Sequence, residues 1–264
     1  MKVVDYHIHS CNSFDGKASV EDICRSAAKL GVYEICFTEH FSVDPRDVSF
    51  DVLNYDGYSR DIDRSRELFE NRLNIRKGLE IGEPHLFRDS LKEKLEGMDL
   101  DFIIGSVHNI NSLKLRLYIE GGQKDRIYRD YFEEIYKMVC NSDIDVIGHL
   151  DLMKRYAYHD FGNYCFSDYK ELMAGILKKA VDRGIGIEIS TSGFRNEVKE
   201  PYPSFDAVRL YGELGGEIIT VGSDSHDCDN IANNYFTVLD MLKMLNFRYI
   251  FKFQNRKPEC IKIE

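Results

Sequence analysis

Six of the eight histidines in this 264-residue chain obey one rule of position. His7 and His9 close the first apolar, β-branched run, His40 closes the second, His108 the fourth and His149 the fifth, and His226 follows the seventh. The third run ends on Glu80 instead. Asp224 and His226, in "GSDSH", repeat the spacing of His7 and His9, and Asp15 lies in the loop after the first run. Residues i and i+2 of a strand point to the same side, so such a pair can grip one ion. Imidazoles mixed with carboxylates, without thiolates, suit Zn, Mn or Fe(II). The donors are too many for a single ion, so a multinuclear centre is expected, with a carboxylate such as Glu80 bridging. Such a centre makes hydroxide from water near neutral pH and clamps both oxygens of an in-line displacement. His85 and His159 end no strand and are expected to be ordinary hydrogen-bonded or solvent-facing residues.

The elements that must position these donors alternate. Strands are expected at "KVVDYH", "YEICFTEH", "NIRKGLEIG", "DFIIGSVH", "IDVIGHLD", "GIGIEIST" and "GEIITVGSD", with "RYIFKF" as an eighth strand or an edge. Helical periodicity fills the gaps, as in "ASVEDICRSAAKLG", "RDIDRSRELFENR", "KDRIYRDYFEEIYKMVC", "SDYKELMAGILKKAVDRG" and "SFDAVRLYGELGG". In the first of these Ser19 is the expected N-cap, Asp22 completes the capping box and Gly31 stops the helix. Near-continuous apolar strands alternating with helices imply a parallel sheet, and seven such units close into a barrel. In a parallel barrel every strand C-terminus lies on one face, where active sites are built. That is why donors from so many strands should converge. No G-x-G-x-x-G follows the first strand, and no linker or repeat divides the chain, so a single domain over 1–264 is expected.

Composition narrows the partners. The chain is 43% hydrophobic and 30% charged, enough for a packed core, and its formal net charge is -10. That balance argues against nucleic acid, whose phosphates need clustered Lys and Arg, but leaves room for a small phosphorylated substrate. The seven cysteines are scattered without a C-x-x-C pair and read as reduced structural thiols. No signal-type or membrane-spanning stretch is apparent, which points to the cytoplasm without a membrane partner. Nothing in the sequence fixes an oligomeric state.

The ordered set "HIHS" at 7, "TEH" at 38, "GLE" at 78, "GSVH" at 105, "GHLD" at 148 and "SDSH" at 223 resembles the motifs of the polymerase-and-histidinol-phosphatase (PHP) superfamily. The resemblance runs over nearly the whole chain and is closest to stand-alone histidinol-phosphatase members. It implies a distorted (β/α)7 barrel, TIM-barrel-like, with three divalent transition metal ions. Carried over by motif, one metal takes His7, His9, Glu80 and Asp224. A second shares Glu80 and takes His108 and His149. The third takes Asp15, His40 and His226, with Asp15 standing where many members have histidine.

A phosphate ester also needs positive charge beyond the metals. "STSGFRN" after the sixth strand offers Arg195, and "GHLDLMKRY" after the fifth offers Lys154 and Arg155. Arginine suits phosphate through its bidentate fork. The function expected is a metal-dependent phosphomonoesterase acting on L-histidinol phosphate, with hydroxide attacking phosphorus in line and Asp224 or His226 managing protons. The alternatives are a PHP phosphoesterase for a nucleotide or sugar phosphate, and a non-catalytic metal-binding barrel.

Overall fold

The computed structural model describes residues 2–264. Seven parallel strands form one sheet in strict chain order. They are β1 (Val4–Ile8), β2 (Glu34–Phe41), β3 (Asn74–Gly82), β4 (Phe102–Ser106), β5 (Val146–Ile147), β6 (Gly186–Ser190) and β7 (Ile219–Gly222). All five residues of β1, β4 and β6 are buried, as strands covered on both faces must be. The sheet is nearly closed. Ile8 bridges Ser225 in parallel, and His9 N–H donates to the Ser225 carbonyl at 2.8 Å, which joins the first strand to the segment after the last.

Helices cover the barrel where the periodicity places them. Ser19 caps the helix Val20–Lys29, accepting from Asp22 N–H, and Gly31 stops it at φ 72°. The second helix, Tyr55–Leu68, begins earlier than "RDIDRSRELFENR" suggests, because Asn54 caps it by accepting from Gly57 N–H. Lys124–Asn141, Phe166–Asp182 and Phe205–Glu213 match the remaining expectations. Their apolar stripes (Ile135, Ile176 and Val208 among them) join strand residues such as Ile35, Leu79 and Ile187 in one core.

Two expectations change. The fifth strand is a ladder of only Val146 and Ile147, because the chain turns at His149, whose φ is +21°. The run "RYIFKF" is not an eighth barrel strand. Tyr249–Gln254 pairs antiparallel with Lys257–Lys262 across a turn in which Asn255 and Arg256 are both left-handed. This hairpin packs under the N-terminal end of the barrel. Phe253 N–H donates to the Tyr6 hydroxyl at 2.9 Å, and the Phe253 ring lies 4.9 Å from Phe102. Asn255 N–H donates to Asp101 and Arg256 Nε to Asp145, the residues just before β4 and β5. Chemistry and plug therefore occupy opposite ends. Among the described residues no helix is long and apolar enough to cross a membrane.

Candidate metal centre

The C-terminal ends of the strands bring the expected donors together around Glu80, at the end of β3. Its Oε1 lies 2.8 Å from His149 Nε2 and 3.2 Å from His108 Nε2. Its Oε2 lies 2.9 Å from His40 Nδ1, 3.4 Å from His7 Nε2 and 3.5 Å from His9 Nε2. One carboxylate thus faces five imidazoles. Asp224 Oδ1 stands 3.8 Å from His7 Nε2 and 3.7 Å from His9 Nε2. Asp15 reaches from its loop to His226 at 3.2 Å and to His40 at 3.5 Å. The loop can fold so tightly because residue 16 is glycine; a Cβ there would sit 1.8 Å from the Ser10 carbonyl oxygen. His149 and Asp224 both hold left-handed backbone, at φ 21° and 52°, a conformation costly for residues with a Cβ.

The electrostatics show charges of both signs crowded into one buried site. Burial disfavours an ionised Glu80, yet His7, His108 and His40 together hold its carboxyl well below the usual range. Burial likewise works against a charged His40, but Glu80 and Asp15 raise that imidazole to about 10. His9 goes the other way: burial, then repulsion from His40, His226 and His7, push it well below its ordinary value. Several buried polar atoms have no hydrogen-bond partner, among them His7 Nε2, His9 Nε2, Glu80 Oε2 and Asp15 Oδ1. Orphaned atoms of this kind are costly unless something binds them. Donor atoms cluster within 4.8 Å in four groups: His7, His9 and Asp224; His7, Glu80 and His149; His40, Glu80 and His108; and His9, His40 and His226. The donor set fits divalent metal ions. The grouping overlaps the map carried over by motif but divides the donors differently, since His40 lies with Glu80 and His108, and His9 is shared.

The donors open on a cleft of ≈ 160 Å³ lined also by Phe14, Asp47, Asn109, Lys114, Arg116, Arg155 and Tyr156. The sequence profile of the PHP domain matches residues 5–192. The chain belongs to the PHP family. This PHP chain is 30% identical to the protein named probable histidinol-phosphatase of Clostridium acetobutylicum, over 94% of its own length and 96% of the relative's. It is 29% identical to the histidinol-phosphatase of Lactococcus lactis, over 97% of its length and 96% of that protein's. The solved structure of histidinol phosphate phosphatase from Lactococcus lactis, complexed with zinc, L-histidinol and phosphate, superposes with a TM-score of 0.90 at 27% identity. That match covers 98% of this chain and 99% of the other.

The cations divide. Arg155 lines the cleft, but Lys154 does not, which corrects the expectation that it contacts phosphate. The Lys154 ammonium is buried, 3.0 Å from Asp151 and 2.8 Å from Glu200. Neighbours on a helix point about 100° apart, and in Met153–Phe161 position 154 faces the core and 155 the cleft. Arg195 Nη2 donates to the carbonyls of Ser223 and Asp224 at 2.8 and 3.0 Å, while its Nη1 is buried without a partner. His85 pairs with Glu134 at 2.7 Å, and His159 lies near the end of its helix; neither joins the cluster.

Sequence reasoning missed the residues that hold the donors. Glu188 of β6 accepts from His7 Nδ1 at 2.6 Å and from His149 N–H at 2.7 Å. Gly222 makes room for it: a Cβ there would meet Glu188 Oε1 and the His7 Cβ at 2.4 Å each. Glu39, one residue before His40, accepts from Ser10 N–H at 3.0 Å and from the Ser10 and Ser13 hydroxyls at 2.6 and 2.5 Å. Burial raises its carboxyl to about 7 despite these bonds. The only signal for either was an acidic residue inside an apolar strand. Lys114 and Arg116 enter the cleft from the short ladder and helix after β4, in "SLKLRLY".

Proposed function

We propose that the protein is a histidinol-phosphatase, a phosphoric monoester hydrolase that converts L-histidinol phosphate to L-histidinol and phosphate. The observation that carries this is the near-complete match, TM-score 0.90, to an enzyme holding zinc, L-histidinol and phosphate. Behind it stands a cluster of imidazoles and carboxylates at the C-terminal ends of the strands. A lapsed, non-catalytic barrel would show gaps in that set, whereas here eight of the nine expected donors fall in the four groups and Asp15, the ninth, lies beside His40 and His226.

On this reading the whole chain, residues 1–264, acts as one catalytic domain with three divalent cations, Zn, Mn or Fe. His7, His9, Asp15, His40, Glu80, His108, His149, Asp224 and His226 would hold them. When bound, the ions supply an acidified water and positive charge for the phosphoryl oxygens. The side chains do the rest. Arg155 meets the phosphate from the cleft wall, while Arg195, which does not line the cleft, steadies the Ser223–Asp224 turn from behind. Asp224 Oδ1, 3.7 Å from His226 Nδ1, is the group nearest to hand for moving a proton, with His226 as its partner. The work belongs to histidine biosynthesis in the cytoplasm, and a small phosphorylated molecule, not nucleic acid, is the partner.

The test is turnover on a panel of phosphomonoesters, with metal content measured on the same preparation. L-histidinol phosphate should have the highest kcat/KM of the panel. A nucleotide or sugar phosphate in first place would replace the substrate and keep the reaction class.

A further inference from the structure

Four carboxylates line the cleft: Asp15, Glu80, Asp224 and Asp47. The first three sit among the metal donors. Asp47 is not one of the nine expected donors, and its side chain contacts none of the clustered imidazoles. It lies on the loop after β2, in a cleft that Lys114, Arg116 and Arg155 also line. Its three hydrogen bonds all come from neutral donors. Ser49 N–H and the Ser49 hydroxyl reach Oδ1 at 2.8 and 2.5 Å, and Asn109 Nδ2 reaches Oδ2 at 3.0 Å. Burial opposes its charge, but the bonds from Ser49 and Asn109 outweigh it and hold the carboxyl below its usual range. A carboxylate has about four lone-pair sites, so Oδ2 keeps one to offer.

An ionised carboxylate is a liability in a cleft built for a phosphate. It repels any substrate that is only an anion, and like charges brought together at an interface select against the wrong partner. The arrangement is useful when the substrate carries a cation at its other end. We propose that Asp47 is the specificity-determining residue of this site, pairing with the cationic ammonium or imidazolium group of a phosphorylated amine. The proposal rests on reading the cleft as a phosphomonoesterase site, but not on which amine is the natural substrate. Ser49 and Asn109 act as positioning residues, fixing the carboxylate before the substrate arrives. Asn109 also connects this subsite to the metal donors, because it follows His108 directly and both backbone N–H groups donate to Glu83.

The experiment compares two esters that differ by one ammonium group, O-phosphoethanolamine and propyl phosphate, alongside L-histidinol phosphate. Wild type should prefer the amine. Asp47→Asn retains the acceptor for the Ser49 turn but removes the charge. It should lower kcat/KM for both amine-bearing esters about tenfold or more, the usual effect of losing a hydrogen bond to a charged group. Turnover of propyl phosphate should hold or rise, which also reports that the fold and metals are intact. Asp47→Ala should give the same split. Equal losses on all three esters would mean that Asp47 only closes its own turn, and no change on any would leave it without a role; either result overturns the proposal. Wild type that spares L-histidinol phosphate yet prefers the simple amine would refute the substrate reading and uphold Asp47. Wild type inert toward every ester would overturn both.

Discussion

The Glu188 carboxylate spans His7 and His149, taking the imidazole N–H of one at 2.6 Å and the backbone N–H of the other at 2.7 Å. A single side chain on β6 therefore fixes a donor from β1 and the turn that carries a donor after β5. With Nδ1 bonded to Glu188, His7 presents Nε2 to the centre, and partners of this kind set both tautomer and orientation of a ligand.

Glu188→Gln should therefore weaken metal binding without removing a donor. Loss of such a partner typically costs about 10–100-fold in metal affinity or activity. Metal retained per chain after dialysis against graded chelator is the measurement. Retention equal to wild type would show that His7 and His149 are held by packing alone.

Glu80→Ala should be worse than Asp15→Ala. Glu80 faces five imidazoles within 3.5 Å, while Asp15 faces two. Metal content and turnover should both collapse in the first variant and fall only partly in the second. Matching small losses in the two would falsify the central position given to Glu80.

Chelation should destabilise as well as inactivate. Orphaned, mutually repelling donors are relieved by any cation that binds the folded state alone, and such binding adds about 2.7 kcal/mol at a hundred times Kd. Thermal unfolding should shift down in excess chelator and return when zinc is restored. A Tm that ignores the chelator would mean that the donor cluster is satisfied without metal.

Lys154 and Arg155 should separate by readout. Lys154 is buried against Asp151, and removing one partner of a buried pair costs about 3–5 kcal/mol. Lys154→Ala should lower Tm while the protein that remains folded keeps its KM. Arg155→Ala should do the reverse, raising KM or lowering kcat/KM at nearly unchanged Tm. If Lys154→Ala instead raised KM at constant Tm, the corrected assignment would be reversed.

The clustering of the candidate donors was legible because a parallel barrel turns a rule of sequence, a polar residue at the end of each apolar run, into a rule of space. His7, His40 and Glu80 needed only the strand periodicity to be placed. Lys154 was misplaced because the orientation of adjacent residues on the helix after β5 depends on the rotation at which that helix docks, and the turn at His149 sets this. Glu188 and Asp47 were invisible for different reasons. Glu188 sits mid-strand, where a lone acid signals burial but not its partner, and Asp47 belongs to a loop without a periodic pattern. The C-terminal hairpin was misread because "RYIFKF" has the composition of a barrel strand. Only the closure of β1 against the segment after β7 leaves it no edge to join.

That closure bears on how the protein is made. The bond from His9 N–H to the Ser225 carbonyl joins residues more than two hundred positions apart. His7 and His9 leave the ribosome more than two hundred residues before Asp224 and His226. A nascent chain can therefore offer only fragments of the donor set. Contacts of such long sequence separation form slowly, after the loop they close has been ordered. Assembly of the donor cluster is thus deferred until the last barrel strand has been made, and a chain interrupted before residue 224 carries histidines but not the complete cluster.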